Sequence, residues 1–361
     1  MAPRSLSGTV VRRRDTFFRA VRGESAFLLL LALGFFAAGW AYPHPGVAMW
    51  VGFALAAYST VANDSIQTVG TFIASNHGRR WWTLWLFIGG VFLATVGYGW
   101  WANAGDVSFG RLSAKGFAEA PQQFTFLQVA APLFLLVLTR LRMPVSTTFL
   151  LLSCFSTSAV GVQAVLLKSV AGYGIAFVVG VAVWVGVTRA MGGGFRGMPA
   201  RWWGPLQWAS TGFLWSGWIM QDMANVAVYL PRTLSAGQFA AFALTLFFGL
   251  GLLFYLRGDR IQQVVTEKSD TLDIRSATVI DFVYALLLFG FKEVSVIPMS
   301  TTWVFIGLLG GREIGMAWSR AAAGRPVRES VRLMGKDLLY AGIGLVVSIA
   351  LAFAANAELR G

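Results

Sequence analysis

Four stretches of this chain, residues 25–42, 83–101, 239–256 and 338–355, contain no charged side chain. Each approaches or reaches the roughly 17–25 residues that a bilayer-spanning helix needs. A chain with several such runs cannot hide them all in a water-soluble core. Charged residues make up 12% of the sequence and hydrophobic ones 56%. A soluble domain carries about twice that charge, so the main solvent here is lipid. Tryptophan pairs at 81–82, 100–101 and 202–203 stand at the ends of apolar runs, where aromatic belts meet the membrane surface.

Eleven apolar segments can be read: 25–42, 47–75, 83–101, 123–140, 144–166, 169–189, 205–231, 239–256, 277–291, 298–318 and 338–356. With the N-terminus in the cytoplasm, the inner loops collect 22 basic residues and the outer ones six, with Arg312 inside a segment. Arg111 and Lys168 count among the outer-loop charges. Positive charge gathers on the cytoplasmic side of membrane proteins, so this threading is favoured. The net charge of +13 belongs to such loops and implies no nucleic acid. The single cysteine, Cys154, excludes an intrachain disulfide. No P-loop is present, so ATP hydrolysis is not expected. The apolar run after the arginine-rich N-terminus ends at Trp40 and Tyr42 rather than at a small-residue cleavage site, and reads as a retained span.

Two phrases recur. Asn63-Asp64-Ser65-Ile66-Gln67 and Gln221-Asp222-Met223-Ala224-Asn225 both place an aspartate between amides. Pro144-Val145-Ser146-Thr147-Thr148 returns as Pro298-Met299-Ser300-Thr301-Thr302. Both pairs keep the same order at nearly the same offset, and the threading gives the copies opposite directions. The expected architecture is an all-α polytopic membrane protein of about eleven segments with broken or re-entrant helices at its site. Residues 1–24 form a basic cytoplasmic tail and 25–42 an extra helix. Residues 47–190 and 205–356 form two inverted five-segment repeats, joined by a cytoplasmic linker at 191–204. Inverted repeats of this kind place transporter sites near the bilayer midplane.

An ionised aspartate in a spanning helix costs roughly 3 kcal/mol. It persists where it faces a cavity, binds a cation or takes a proton. Asp64 and Asp222, with amides on the same helix face, offer hard oxygen ligands suited to Na⁺, or carboxylates able to carry H⁺. Ser and Thr cap helix starts, and proline is tolerated there. Free N–H groups at such a start attract anions. The two phrases therefore read as cradles for one tetrahedral oxyanion, bound together with cations.

The phrases resemble the inorganic phosphate transporter family, whose copies read G-A-N-D-x-A-N-A…G-T and P-V-S-T-T-H. Ala62, Asn63, Asp64, Gln67, Gly70 and Thr71 match the first copy; Asp222, Ala224 and Asn225 match the second. The resemblance implies that Ser146, Thr147, Thr148, Ser300, Thr301, Thr302, Gln67 and Asn225 bind phosphate. It implies that Asn63, Asp64, Gln221, Asp222 and Thr71 serve the coupling cation, with Asp64 and Asp222 as possible Na⁺ ligands. The family's histidine after S-T-T is replaced by Phe149 and Trp303, and two of its asparagines by Gln67 and Gln221, which marks a divergent branch. The expected function is phosphate symport with Na⁺ or H⁺ and no other cofactor. The chain would lie in a bacterial-type inner membrane, and a homodimer would be in keeping with the resemblance. The alternatives are sulfate or another tetrahedral oxyanion as cargo, or a non-transporting sensor or assembly subunit. No catalytic base stands near the serines, so no enzyme is expected.

Overall fold

The structure, a computed structural model, describes residues 7–114, 116–141, 143–190, 197–256, 273–319, 325–356 and 359. Among them there are helices and turns and no strand. Residues 191–196 of the expected linker at 191–204 lie outside the described residues, as do residues 1–6 of the expected basic tail.

The helices are α1 (Ser7–Ala41), α2 (Pro45–Ser75), α3 (Trp81–Ala102), α4 (Phe126–Arg140), α5 (Thr147–Leu150), α6 (Ala159–Ala190), α7 (Trp203–Ala227), α8 (Ala236–Tyr255), α9 (Ile274–Val294), α10 (Thr301–Trp318) and α11 (Val327–Ala355). Short 3₁₀ turns lie at Arg111–Ser113 and Leu152–Phe155. The backbone of α1 is helical from Ser7, with its apolar part at Glu24–Ala41. Seven of the described helices are long and apolar enough to cross a membrane. Two others, α7 and α10, hold Gln221, Asp222 and Asn225, and Arg312 and Glu313, polar groups that lower their average hydropathy. Phe36, Trp101, Val178 and Val346 are all more than half exposed. Large apolar groups on an outer surface are what contact with lipid tails permits.

The expected segments 144–166 and 169–189 divide elsewhere. The first phrase leads into α5, a single turn, then the 3₁₀ turn, and the chain reverses at residues 156–158. Ser156 and Ser158 make that reversal. The Ser156 hydroxyl donates to Ser158 O at 2.9 Å, and Gly161 N donates to the Ser158 hydroxyl at 3.2 Å. From Ala159 the helix α6 then runs unbroken for 32 residues. Lys168 is therefore a helix residue, not a loop residue as the apolar count places it.

Several local choices fix the frame. Thr125 and Gln128 form a capping box at the start of α4, and Ser235 and Gln238 form another at α8. Each satisfies N–H groups that a helix start leaves unpaired. Pro132 lies inside α4 and cannot donate to the carbonyl of Gln128. The buried Tyr229 hydroxyl donates to that carbonyl instead, at 2.9 Å. In lipid such a freed carbonyl must find a protein partner.

Helix α6 packs along α10, α7 along α9 and α2 along α4. The α6–α10 seam is built on glycine. A Cβ at Gly307, Gly311 or Gly315 would collide with the carbonyl oxygens of Tyr173, Phe177 and Val181 respectively. From the other side, a Cβ at Gly180 would stand 2.6 Å from Leu308 O. Small residues at four-residue spacing allow backbones to touch in a membrane.

Candidate functional site

The two S-T-T phrases meet at the centre of the bundle and bond to each other reciprocally. The Thr148 hydroxyl donates to Met299 O at 3.1 Å, and the Thr302 hydroxyl donates to Val145 O at 3.3 Å. Ser146 caps its turn by accepting from Phe149 N at 3.2 Å. Ser300 accepts from Trp303 N at the same distance. The rings of Phe149 and Trp303, which stand where the resembling family carries histidine, contact each other edge-on with centroids 6.2 Å apart.

Each middle threonine binds one of the two aspartates. Thr147 donates to Oδ2 of Asp64 at 2.5 Å, and Thr301 donates to Oδ2 of Asp222 at 2.5 Å. Asn63 donates to Oδ1 of Asp64 at 2.5 Å and to Val145 O at 2.9 Å, while its own oxygen accepts from Thr139. Asn225 donates to Oδ1 of Asp222 at 2.9 Å, to the Thr147 hydroxyl at 3.0 Å and to the Thr148 hydroxyl at 3.2 Å. A continuous chain, Asp222 to Asn225 to Thr147 to Asp64, thus links the carboxylates. Asn63, Asp64, Ser146, Thr147, Thr148, Gln221, Asp222, Asn225, Ser300, Thr301 and Thr302 are all buried, so the cluster is closed to water.

Among the described residues neither carboxylate forms an ion pair. Two amide oxygens at the site, Oε1 of Gln221 and Oδ1 of Asn225, are buried and accept no hydrogen bond there. Gln221 is held by its other end, with Nε2 donating to Leu288 O at 2.8 Å. Buried oxygens without donors are costly and are what a hard cation would take.

The two cradles are unequal. Thr301 opens an 18-residue helix, whereas Thr147 opens a turn of four residues. A helix dipole needs several aligned peptides, so the second start carries the stronger positive end. The N–H groups of Thr301 and Thr302 have no hydrogen-bond partner among the described residues, and both residues are buried. The N–H of Ser300 donates to the Ser169 hydroxyl at 2.8 Å.

This chain shares its fold with a sodium-dependent phosphate transporter of known structure. The two superpose with a TM-score of 0.53 at 17% sequence identity, over 85% of this chain and 97% of that one. Identity at that level carries the architecture alone. No protein-family model matches the sequence, and no curated protein does.

Two residues of the expected site stand apart from the central chain. Gln67 is half-buried, and its amide has no hydrogen-bond partner among the described residues. Thr71 donates to Asp281 at 2.7 Å, and Thr211 donates to the other oxygen of Asp281 at 2.5 Å. Asp281 of α9 thus ties α2 to α7 in a second buried polar cluster. Beyond it, Asn76, Gln207, Ser75 and Trp208 share a further network, in which Asn76 donates to Gln207 at 2.8 Å and Trp208 donates to Asn76 at 3.2 Å.

Arg111, which the sequence assigns to an outer loop, is 1% exposed. Its Nε donates to Met220 O at 2.8 Å, two residues from Asp222, and its Nη1 to Ile297 O at 3.3 Å and Val296 O at 3.4 Å. Burial draws its guanidinium down to about 10, against the pull of the Asp222 carboxylate in the other direction. It stays charged at neutral pH. The ion pairs Lys292–Glu293 and Arg312–Glu313 form at 2.9 Å and 2.7 Å, as adjacent opposite charges lead one to expect.

Proposed function

We propose that this chain is a secondary transporter of inorganic phosphate, driven by symport with Na⁺ or H⁺ through alternating access of two inverted repeats. The observation that carries the reading is the reciprocal bonding of the two S-T-T phrases, each with its middle threonine on one buried aspartate. Transporters place their substrate between such halves. The anion would sit against the free N–H groups of Thr301 and Thr302 and the hydroxyls of Ser146, Thr147, Thr148, Ser300, Thr301 and Thr302. The cation would sit by Asp64 and Asp222, with Asn63, Gln221 and Asn225 at hand. The fold shared with a sodium-dependent phosphate transporter supports the same assignment.

Coupling follows from electrostatics. Two linked carboxylates in a closed, apolar surrounding repel an oxyanion. A cation or proton on them removes that repulsion, so each ligand raises the affinity for the other. The unpartnered oxygens of Gln221 and Asn225 favour Na⁺, since a proton on a carboxylate leaves both of them unsatisfied. Phosphate is favoured over sulfate because its monohydrogen form can donate a proton to a carboxylate oxygen.

The test is uptake of labelled phosphate into proteoliposomes under a Na⁺ gradient, then a pH gradient, each with excess unlabelled sulfate. Uptake that follows the Na⁺ gradient and resists sulfate is expected. Uptake blocked by sulfate would transfer the cargo to sulfate. No uptake by folded protein under either gradient would overturn the transport reading and favour a sensor or assembly role.

A further inference from the structure

Two cationic side chains converge just ahead of the second helix start. Lys168 of α6 donates through Nζ to Ile297 O at 2.6 Å and to Ser295 O at 2.9 Å. Arg111, from the loop between α3 and α4, reaches the same Ile297 oxygen at 3.3 Å. Sharing one acceptor, the two nitrogens lie no more than about 5.9 Å apart. Ile297 immediately precedes Pro298-Met299-Ser300, and the next residue along α6, Ser169, holds the Ser300 N–H. The pair is therefore bolted to the flank of the stronger cradle.

Neither cation forms an ion pair among the described residues; the Asp222 carboxylate acts on Arg111 only from beyond ion-pair distance. Backbone carbonyls could be satisfied by neutral donors, as the neighbouring Ser169 hydroxyl satisfies Val165 O at 2.7 Å. Burying two like charges side by side is a heavy cost for that task alone, and an anion between them would offset it. Donors remain for one: Nη2 of Arg111 has no hydrogen-bond partner among the described residues, and Nζ of Lys168 uses two of its three hydrogens. The first phrase, at 144–148, has no lysine or arginine bonded to its carbonyls among the described residues, so the pair belongs to one cradle only.

We propose that Arg111 and Lys168 form an oxyanion station on the outer approach to the 300–302 helix start, where a doubly charged tetrahedral anion, hydrogen phosphate or sulfate, is held before it passes to the threonines. This rests on the transport reading above and adds where the anion is first taken up. A planar guanidinium and an ammonium can each bind a different oxygen of one tetrahedral ion. The like-charge repulsion also gives the station a preference for two negative charges over one.

Lys168 is half-buried and serves the test better than Arg111, whose loss would remove a donor from the carbonyls of Met220 and Val296 as well as from the shared Ile297 oxygen. Full-length wild type, Lys168→Gln and Lys168→Arg are reconstituted, and labelled phosphate and labelled sulfate uptake are measured separately against external concentration. Equilibrium binding of each ion to the purified proteins is measured in parallel. The station predicts that Lys168→Gln raises the half-saturating anion concentration by about tenfold or more. Maximal rate should change by less than about twofold, and Lys168→Arg should restore wild-type behaviour. A structural prop alone would lower the maximal rate and leave half-saturation in place, which overturns the proposal. If wild type takes up neither ion, the transport reading falls by itself. Binding then decides: weakening in Lys168→Gln with rescue in Lys168→Arg upholds the station, and unchanged or undetectable binding of both ions overturns it.

Discussion

Thr148 donates its hydroxyl to the carbonyl of Met299 at 3.1 Å, across 151 positions of chain. The corresponding bond of the other phrase, Thr302 to Val145, crosses back the other way. Together they explain why a strongly apolar chain spends three consecutive hydroxyls twice. One serine caps its own turn, one threonine binds an aspartate, and the last threonine locks the partner phrase.

The middle threonines make charge-assisted bonds worth about 1.5–3 kcal/mol each. Thr147→Val and Thr301→Val are expected to raise the half-saturating cation concentration by roughly ten- to a hundredfold. The serine variants at both positions should stay within a few-fold of wild type. Titration of uptake against Na⁺ and against H⁺ measures this, and a valine variant with unchanged cation dependence would refute it.

Asp64→Asn and Asp222→Asn keep the shape of the site and remove its negative charge. Both are expected to abolish gradient-driven phosphate uptake while eluting as folded protein in size-exclusion chromatography. If either variant accumulates phosphate against its gradient at the wild-type rate, that carboxylate does not hold the coupling ion.

The second cluster should behave as a unit. Asp281→Leu leaves the buried hydroxyls of Thr71 and Thr211 without their acceptor, at about 1–3 kcal/mol for each unsatisfied group. Thermal unfolding should therefore fall in Asp281→Leu, and less in Thr71→Val. A double-mutant cycle between Thr71 and Asp281 should show coupling above about 0.5 kcal/mol. Strict additivity would mean that their bond contributes nothing.

The glycine seam makes a prediction with its own control. Gly311→Ala drives a methyl group into the Phe177 carbonyl and should destabilise by about 1–3 kcal/mol, as overpacking does. Gly174, on the α6 side, has open space where its Cβ would stand. Gly174→Ala should be neutral or stabilising by up to about 1 kcal/mol, because alanine is the better helix former. Melting temperatures of the two variants, measured in one detergent, decide it. Equal shifts would argue against the contact.

Much of the buried central cluster was legible in the sequence because its groups break local rules: an aspartate in an apolar helix, a proline with three hydroxyls. The structure brings nearly all of those residues into one closed cluster. Gln67 and Thr71 illustrate the limit, since motif likeness assigns them to the central site and geometry sets them aside from it. Arg111 and Lys168 were read as loop charges because a charge at the edge of an apolar run looks the same whether it faces water or folds inward. The reversal at residues 156–158 was missed for a similar reason. Hydropathy averages over a window, whereas a turn made by two serine hydroxyls needs only three residues. Asp281 stood in plain view, but nothing in its own neighbourhood names Thr71 and Thr211 as partners. The glycine seam became readable only once α6 and α10 were known to be neighbours.

That seam has a mechanical meaning. Where carbonyl oxygens rest on glycine α-carbons, no layer of side chains remains to slide or re-pack. Helices α6 and α10 must therefore travel as a single beam, taking Lys168, Ser169 and the second S-T-T phrase with them. Any rocking between the two sides of the membrane has to be accommodated elsewhere. On the transport reading, the place left to give is the line joining α2 to α7, where hydroxyls, amides and a carboxylate rather than glycine backbone make the contacts.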